Sequence, residues 1–363
     1  MTPTGDRARR PTREVKIGGL TIGGGAPVAV QTMTNTKTHE TEKTLAQIRL
    51  AAGRGAELVR LAVPDRAAAL ALREIVPRAG VPLVADIHFD HRLALLSIEA
   101  GVAGLRLNPG NIGDPKKILA VAEAAGKAGI AIRVGVNAGS LPRDMAGKYG
   151  HGPEAMVESA LREIALIEET GFTNVKVSLK ASDVAQTVAA VRLFSAVSDV
   201  PQHLGVTEAG DVKSGTVRSA VGLGILLHEG LGDTIRVSLT GPPEEEVDCA
   251  WEILRSLGLR QKGPRFVSCP TCGRCQIDLP ALLAEVKALL GGLKTPLTVA
   301  VMGCAVNGPG EAKRADLGVA GGKTQGRLFV RGEAVGSYPA SELARRLADL
   351  AMGMAWLDRD PET

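Results

Sequence analysis

Three short runs decide the fold: Leu83-Val-Ala-Asp-Ile-His88, Gly104-Leu-Arg-Leu-Asn-Pro109 and Ala131-Ile-Arg-Val-Gly-Val-Asn137. Each is rich in β-branched or aliphatic residues, and each sets polar residues at even spacings. Residues i and i+2 of a strand face the same side. Asp86 and His88, Arg106 and Asn108, and Arg133 and Asn137 are therefore expected to line one face, with aliphatic residues on the other. Similar runs occur at Val28–Thr32, Leu58–Val63, Asn174–Leu179, His203–Glu208 and Thr234–Leu239. Arg60, Asp86, Arg106 and Arg133 mark successive runs at intervals of 20 to 27 residues. Ala- and Leu-rich helical stretches lie between them, at Asp65–Arg78, Pro115–Lys127, Glu154–Glu169 and Pro243–Leu257. Eight β–α units over about 250 residues predict an α/β fold of the (β/α)8 TIM-barrel type. A doubly wound sheet is the alternative, but no Gly-x-Gly-x-x-Gly follows the first run.

Gln261-Lys-Gly-Pro-Arg265 reads as a boundary. The expected division is a flexible N-terminal tail over 1–14, a substrate-binding barrel over 15–262, and a smaller α+β domain over 263–363. The last has a helix around Leu279–Leu290, strands at Leu297–Met302 and Arg327–Arg331, and a final helix from Ser341.

Composition excludes several functions. The chain has 363 residues, of which 45% are hydrophobic, so it can bury a large core. Only 2% are aromatic, too few for the base-stacking platforms of a single-strand nucleic-acid binder. The net charge of +4, from 43 basic and 39 acidic residues, is too small for a general polyanion binder unless it is concentrated in one place. The longest uncharged stretches, 17–36 and 295–310, are broken by Gly, Pro, Thr and Asn, so no membrane span is expected. Met1–Arg13 holds four arginines with no apolar segment after them, unlike a secretion signal, and Asp6 and Glu14 weaken a transit-peptide reading. Four of the five cysteines fall between Cys269 and Cys304. An odd, clustered set argues for a reducing, cytoplasmic setting and a metal site.

The interior of an ordinary barrel is filled by branched apolar side chains. Here Arg60, Arg106, Arg133, Lys176 with Ser178 and Lys180, and Arg236 with Ser238 occupy the runs. Polar residues near the C-terminal strand ends converge where barrel active sites lie. Several cations there favour a highly charged anion such as a diphosphate. Gly210–Ala220, a Gly-, Lys- and Ser-containing loop before a helix, stands where barrels often bind phosphate.

Cys269-Pro-Thr-Cys272-Gly-Arg-Cys275 can wrap one metal centre, with Cys304 as the next thiol. Structural zinc would take all four cysteines. An iron–sulfur cluster could take three and leave one iron for an exchangeable ligand such as Glu311, seven residues past Cys304 in Asn307-Gly-Pro-Gly-Glu311. Unligated cysteines remain a third reading. Cys249, on an Ala- and Leu-rich helix, reads as core.

Several of these segments, with Val30–Thr34, Val84–Phe89, Gly104–Gly113, Arg133–Leu141, Val175–Asp183, His203–Gly210, Asp233–Leu239, Cys269–Cys272 and Gly303–Glu311, resemble the bacterial (E)-4-hydroxy-3-methylbut-2-enyl diphosphate synthase family. The resemblance runs from about Lys16 to Gly322, through both domains. It implies reductive ring opening and dehydroxylation of 2-C-methyl-D-erythritol 2,4-cyclodiphosphate by two electrons, in isoprenoid precursor synthesis. A [4Fe–4S] cluster would be held by Cys269, Cys272 and Cys304, with Glu311 on the fourth iron. Arg60, His88, Arg106, Arg133, Asn137, Lys176, Ser178, Arg218, Arg236 and Ser238 would grip the diphosphate, and Asp86 and Glu208 would act beside the reacting carbons. Reduced ferredoxin or flavodoxin would supply electrons to a homodimer whose active site is shared between subunits, with no nucleic acid and no membrane involved. Two positions depart from the family pattern: Cys275, where a non-cysteine is usual, and Arg218, where Lys is. Two other readings remain: a dihydropteroate-synthase-like transferase with a zinc-stabilised accessory domain, and an RNA-binding zinc module.

Overall fold

A computed structural model describes residues 8–108, 112, 114–304, 306 and 308–357. The chain forms two compact units, which divide between Arg260 and Gln261.

The first unit opens with a hairpin, β1 (Val15–Ile17) and β2 (Leu20–Ile22). Its turn is Gly18-Gly19, both at positive φ, as a two-residue hairpin turn requires. Val15, Ile17 and Ile22 pack on Ala29, Leu58, Val84 and Ala131, which lie at or next to the N-terminal ends of four barrel strands, so the hairpin closes the bottom of the barrel. Strands this short carry too little pattern to be read from sequence.

All eight expected strands form: β3 (Ala29–Met33), β4 (Leu58–Ala62), β5 (Leu83–Ile87), β6 (Gly104–Leu107), β7 (Ala131–Asn137), β8 (Val175–Lys180), β9 (His203–Leu204) and β10 (Thr234–Ile235). They make one parallel sheet, in the order β8-β7-β6-β5-β4-β3-β10-β9. A Val177–Gln202 bridge closes the ring. Val, Leu and Ile at alternate strand positions pack outward on the helices to form the main core. Asp65, Asp90, Asp114, Asp183 and Asp211 cap five of the helices that follow strands, each accepting a backbone N–H of the first turn.

The expected flexible tail is corrected over residues 8–14. Arg9 donates to the Gly232 carbonyl at 2.8 Å and pairs with buried Asp233 at 2.9 Å. Arg10 donates to the Val200 carbonyl at 3.0 Å, and Arg13 pairs with Glu168 at 2.6 Å. Three of the arginines that read as a solvated run therefore satisfy carbonyls and carboxylates of the barrel. Residues 1–7 lie outside the described residues.

The second unit is a five-stranded sheet, β11 (Arg265–Ser268), β12 (Thr298–Met302), β13 (Leu317–Ala320), β14 (Gln325–Val330) and β15 (Glu333–Pro339), ordered as numbered. The first three strands are parallel and the last two join antiparallel. β12 alternates: Val299 and Val301 pack with helices Leu279–Leu290 and Leu343–Leu357, while Ala300 and Met302 pack with Ala312, Ala320 and Phe329. The segment after Gln325 is a hairpin that turns at Arg331-Gly332, both at positive φ.

Candidate active site

Parallel pairing fixes the barrel's charged row. Asp86 pairs with Arg106, Arg106 with Arg133, and Arg133 with Lys176, across β5, β6, β7 and β8. Residues so paired face the same side, here the barrel interior: Arg106, Arg133 and Lys176 are 4%, 2% and 1% exposed. Two residues nearer the mouth lie His88, Asn108, Gly135 and Ser178, then Asn137 and Lys180.

Gly135 has a steric reason. A Cβ there would come 2.6 Å from Arg106 Nε, so only glycine lets the Arg106 side chain cross β7. Gly205 does the same for Lys180, whose Nζ would lie 2.6 Å from an added Cβ.

Asp86 is the hub. Arg106 Nη1 lies 3.1 Å from its Oδ1 and 2.7 Å from His88 Nε2, and Arg60 Nε is 3.6 Å from its Oδ2. Burial alone would raise its pKa, but Arg60, His88 and Arg106 outweigh burial and hold the carboxyl well below the usual carboxylate range. It remains an ionised acceptor. The lysines are also lowered, which for them opposes the charged form: burial, reinforced by neighbouring cations such as Arg133 and Arg60, pushes Lys176 and Lys180 well below ordinary lysine values. Burial also lowers Arg133, with Arg60 and Arg106 adding to the effect.

Arg133 Nη1 donates to Ser178 Oγ, and Arg236 Nη1 to Ser238 Oγ. Arg106 Nε, Arg133 Nε and Nη2, and Lys176 Nζ are buried donors without a hydrogen-bond partner among the described residues. Buried donors are normally satisfied, so this row has capacity for further acceptors, and anionic ones suit its charge. Asn137 is half-buried at the end of β7. Glu208 and Arg218 lie elsewhere on the rim, in the turn and helix after β9. Glu208 is exposed at φ +52°, and Arg218 donates to the Ala209 carbonyl at 3.1 Å, bracing that turn. Met33, Val63, Pro64, His88, Phe89 and Leu93 line a cavity of about 370 Å³ with Asp86 at its base.

Lys180, read from the i+2 pattern but outside the set that the resemblance implies, lies with Lys176 and Ser178 on this face. One member of this site escaped the sequence reading. Glu246, which grips Arg236 at 2.8 Å, lies in Glu244-Glu245-Glu246 at the start of a helix, where a carboxylate run reads as a solvated first turn.

In the second unit the cysteines sit at strand ends. Cys269 follows β11 and Cys304 follows β12 by two residues, and these strands pair in parallel. Gly303 N donates to Cys269 Sγ at 3.3 Å, and a Cβ at position 303 would collide with Cys275 Sγ. Cys269 and Cys275 thus flank the residue before Cys304. Cys272 is exposed, and hydrogen bonds from Arg274 lower its pKa. Gly273, Arg274, Cys275, Gln276, Cys304 and Lys323 line a cavity of about 410 Å³. Soft thiols around a glycine cradle suit a soft metal centre. No set of three or more His, Cys, Asp and Glu at ligating geometry occurs among the described residues. Glu311 is exposed on the short helix Gly308–Ala312, 3.9 Å from Arg314. Asn307 and the segment 109–111 lie outside the described residues.

A parallel eight-stranded barrel with buried cations at its mouth, followed by a domain that gathers thiols at paired strand ends, defines a two-domain barrel protein with a cationic mouth and a separate thiol cluster. The GcpE TIM-barrel domain matches residues 12–251 and the GcpE protein C-terminal domain matches residues 265–352, and the chain belongs to this family. Relatives include 4-hydroxy-3-methylbut-2-en-1-yl diphosphate synthase (flavodoxin) of Lawsonia intracellularis, 55% identical over 91% of this chain and 92% of its own. The Geobacter sulfurreducens protein of the same name is 55% identical over 93% and 96%. Among solved structures, dihydropteroate synthase of Stenotrophomonas maltophilia aligns with a TM-score of 0.51 at 14% identity, over 68% of this chain and 98% of that one. The Yersinia pestis enzyme gives 0.50 at 15%, with the same coverage. At such identities the likeness is of fold alone.

Proposed function

We propose that this chain catalyses the reductive conversion of 2-C-methyl-D-erythritol 2,4-cyclodiphosphate to 4-hydroxy-3-methylbut-2-en-1-yl diphosphate, an oxidoreductase step of isoprenoid precursor synthesis. The observation that carries this reading is the buried in-register row Asp86–Arg106–Arg133–Lys176, with more cations than anions and several buried donors without a partner among the described residues. The names of the relatives supply the reaction.

In this reading Arg106, Arg133, Lys176, Lys180 and Arg236 hold the two phosphates by charge-assisted hydrogen bonds, with Arg60, His88, Asn137, Ser178 and Ser238 completing the grip. Asp86 holds Arg60, Arg106 and His88 in place. Glu208, exposed in the turn after β9, would exchange a proton at the departing hydroxyl, and Arg218 steadies its turn. Cys269, Cys272 and Cys304, with Glu311 as the exchangeable ligand, would hold a [4Fe–4S] cluster, and Cys275 is a neighbour. When bound there, such a cluster supplies single electrons and Lewis acidity toward an oxygen. Reduced flavodoxin is the donor that the relatives' names favour over ferredoxin. The enzyme works as a homodimer with a shared active site in the cytoplasm; no helix among the described residues is long and apolar enough to cross a membrane.

The test is anaerobic purification, iron and sulfide analysis, and turnover of the cyclodiphosphate with reduced flavodoxin. About four iron and four sulfide per chain, with product formed, is the expected result. One zinc, no sulfide and no turnover would overturn it.

A further inference from the structure

The eighth barrel strand is short. β10 ends at Ile235, and beyond it the backbone keeps the Arg236 N–H bond to the Leu204 carbonyl at 3.0 Å and a bridge at Thr240, while Arg236 and Ser238 carry part of the proposed diphosphate grip. A single side chain holds that stretch from a helix. Glu246, 3% exposed, lies on the helix Pro243–Ser256. Its Oε1 accepts from Arg236 Nη2 at 2.8 Å and from the Leu239 backbone N–H at 3.1 Å. Its Oε2 accepts from Arg236 Nε at 3.2 Å and from Thr32 Oγ1, on β3, at 2.8 Å. One carboxylate thus ties together β3, the segment that follows β10 and its own helix.

The geometry also decides which Arg236 donors Glu246 occupies. Glu246 takes Nε and one Nη2 hydrogen, along one edge of the guanidinium. Nη1, outside the edge that Glu246 takes, donates to Ser238 Oγ, and in the functional reading above this is the part of the group offered to phosphate. A planar guanidinium fixed along one edge can present the other with little loss of side-chain entropy.

We propose that Glu246 is a positioning residue for diphosphate recognition, holding Arg236 and Ser238 in the orientation that binds the substrate. This rests on the functional reading above. The neighbouring carboxylates Glu244 and Glu245 do not share the role: no described hydrogen bond ties either side chain to Arg236.

Glu246→Gln, nearly isosteric, is the variant to test, with Glu246→Ala as the harsher partner. On anaerobically purified holoenzyme, Glu246→Gln should weaken cyclodiphosphate binding by calorimetry about tenfold, as expected for losing a buried charge-assisted contact. KM should rise with it, and kcat should change much less. In an Arg236→Met background the same substitution should have little further effect, because its influence passes through Arg236. Binding and KM within twofold of wild type, or losses that simply add in the double variant, would overturn the proposal. A substrate-independent readout separates it from the functional reading. Phenylglyoxal labelling of Arg236, followed by peptide mass spectrometry, should be faster in Glu246→Gln. Unchanged labelling would overturn the clamp, whereas wild-type protein that fails to bind the cyclodiphosphate would overturn the function.

Discussion

The barrel mouth and the cysteine region are built on opposite principles. At the mouth, ladder hydrogen bonds set the register, and aliphatic residues at alternate positions anchor each strand outward. The charged row is in place because the strands are. The cysteines sit instead on turns beyond β11 and β12. Cys272 is exposed, Thr271 adopts a positive φ of 45°, and Glu311 is exposed on a five-residue helix. A ligand site on strands is preorganised by the fold. A site on turns needs its bound group to define it, because metal binding and local ordering are coupled. Recognition and redox chemistry should therefore fail separately.

The largest expected effect breaks the comparison on the cysteine side. Cys304→Ala should abolish iron and sulfide incorporation and all turnover. The barrel's thermal transition should stay in place, because Cys304 belongs to the second unit. Iron content equal to wild type would remove Cys304 from the ligand set. Cys275→Ser should keep its iron; if it loses the metal as Cys304→Ala does, a four-cysteine site replaces the three-cysteine one.

A smaller effect probes the barrel side. Gly135→Ala would force Arg106 away from Asp86 and His88, since the new Cβ meets its Nε at 2.6 Å. Cyclodiphosphate binding should weaken about tenfold, on the scale of one charged hydrogen bond. Iron and sulfide should stay at wild-type levels. Unchanged affinity would mean that Arg106 has room to relax without losing its grip.

The same contrast explains what was legible in the sequence. The i, i+2 spacing of Asp86 and His88, and of Lys176, Ser178 and Lys180, is the pleat itself, so strands and inward residues could be read together. Glu246 could not, because its partner is ten residues earlier on another element and its own run imitates a solvated helix start. Gly135 and Gly205 could not, since what they avoid is a side chain from a neighbouring strand or an earlier one. The N-terminal arginines were misread because their acceptors, at Val200, Gly232 and Asp233, lie some 190 to 224 residues away. Spacing placed the thiols in one region but left zinc and iron–sulfur both open, because turns do not transmit register.

The smallest expected effect sharpens the comparison, for it reads the barrel's preorganised charge directly. Lys176 and Lys180 sit well below ordinary lysine values because burial and nearby cations oppose their charged forms. Unfolded, both would return to ~10.4 and bind more protons than the native state, so their contribution destabilises the ligand-free fold as pH falls below that value. A diphosphate placed between them reverses the sign of the local field and raises both values. Each phosphate of the cyclic diphosphate is a strong acid and is already ionised at neutral pH, so the protons taken up go to the protein. Binding should therefore be accompanied by net proton uptake and weaken as pH rises. Calorimetry in buffers of different ionisation enthalpy measures that uptake, and Lys176→Met should reduce it. Zero uptake, or release, would mean that the row is fully protonated before the ligand arrives. The mouth would then hold its charge by other means than a matched anion.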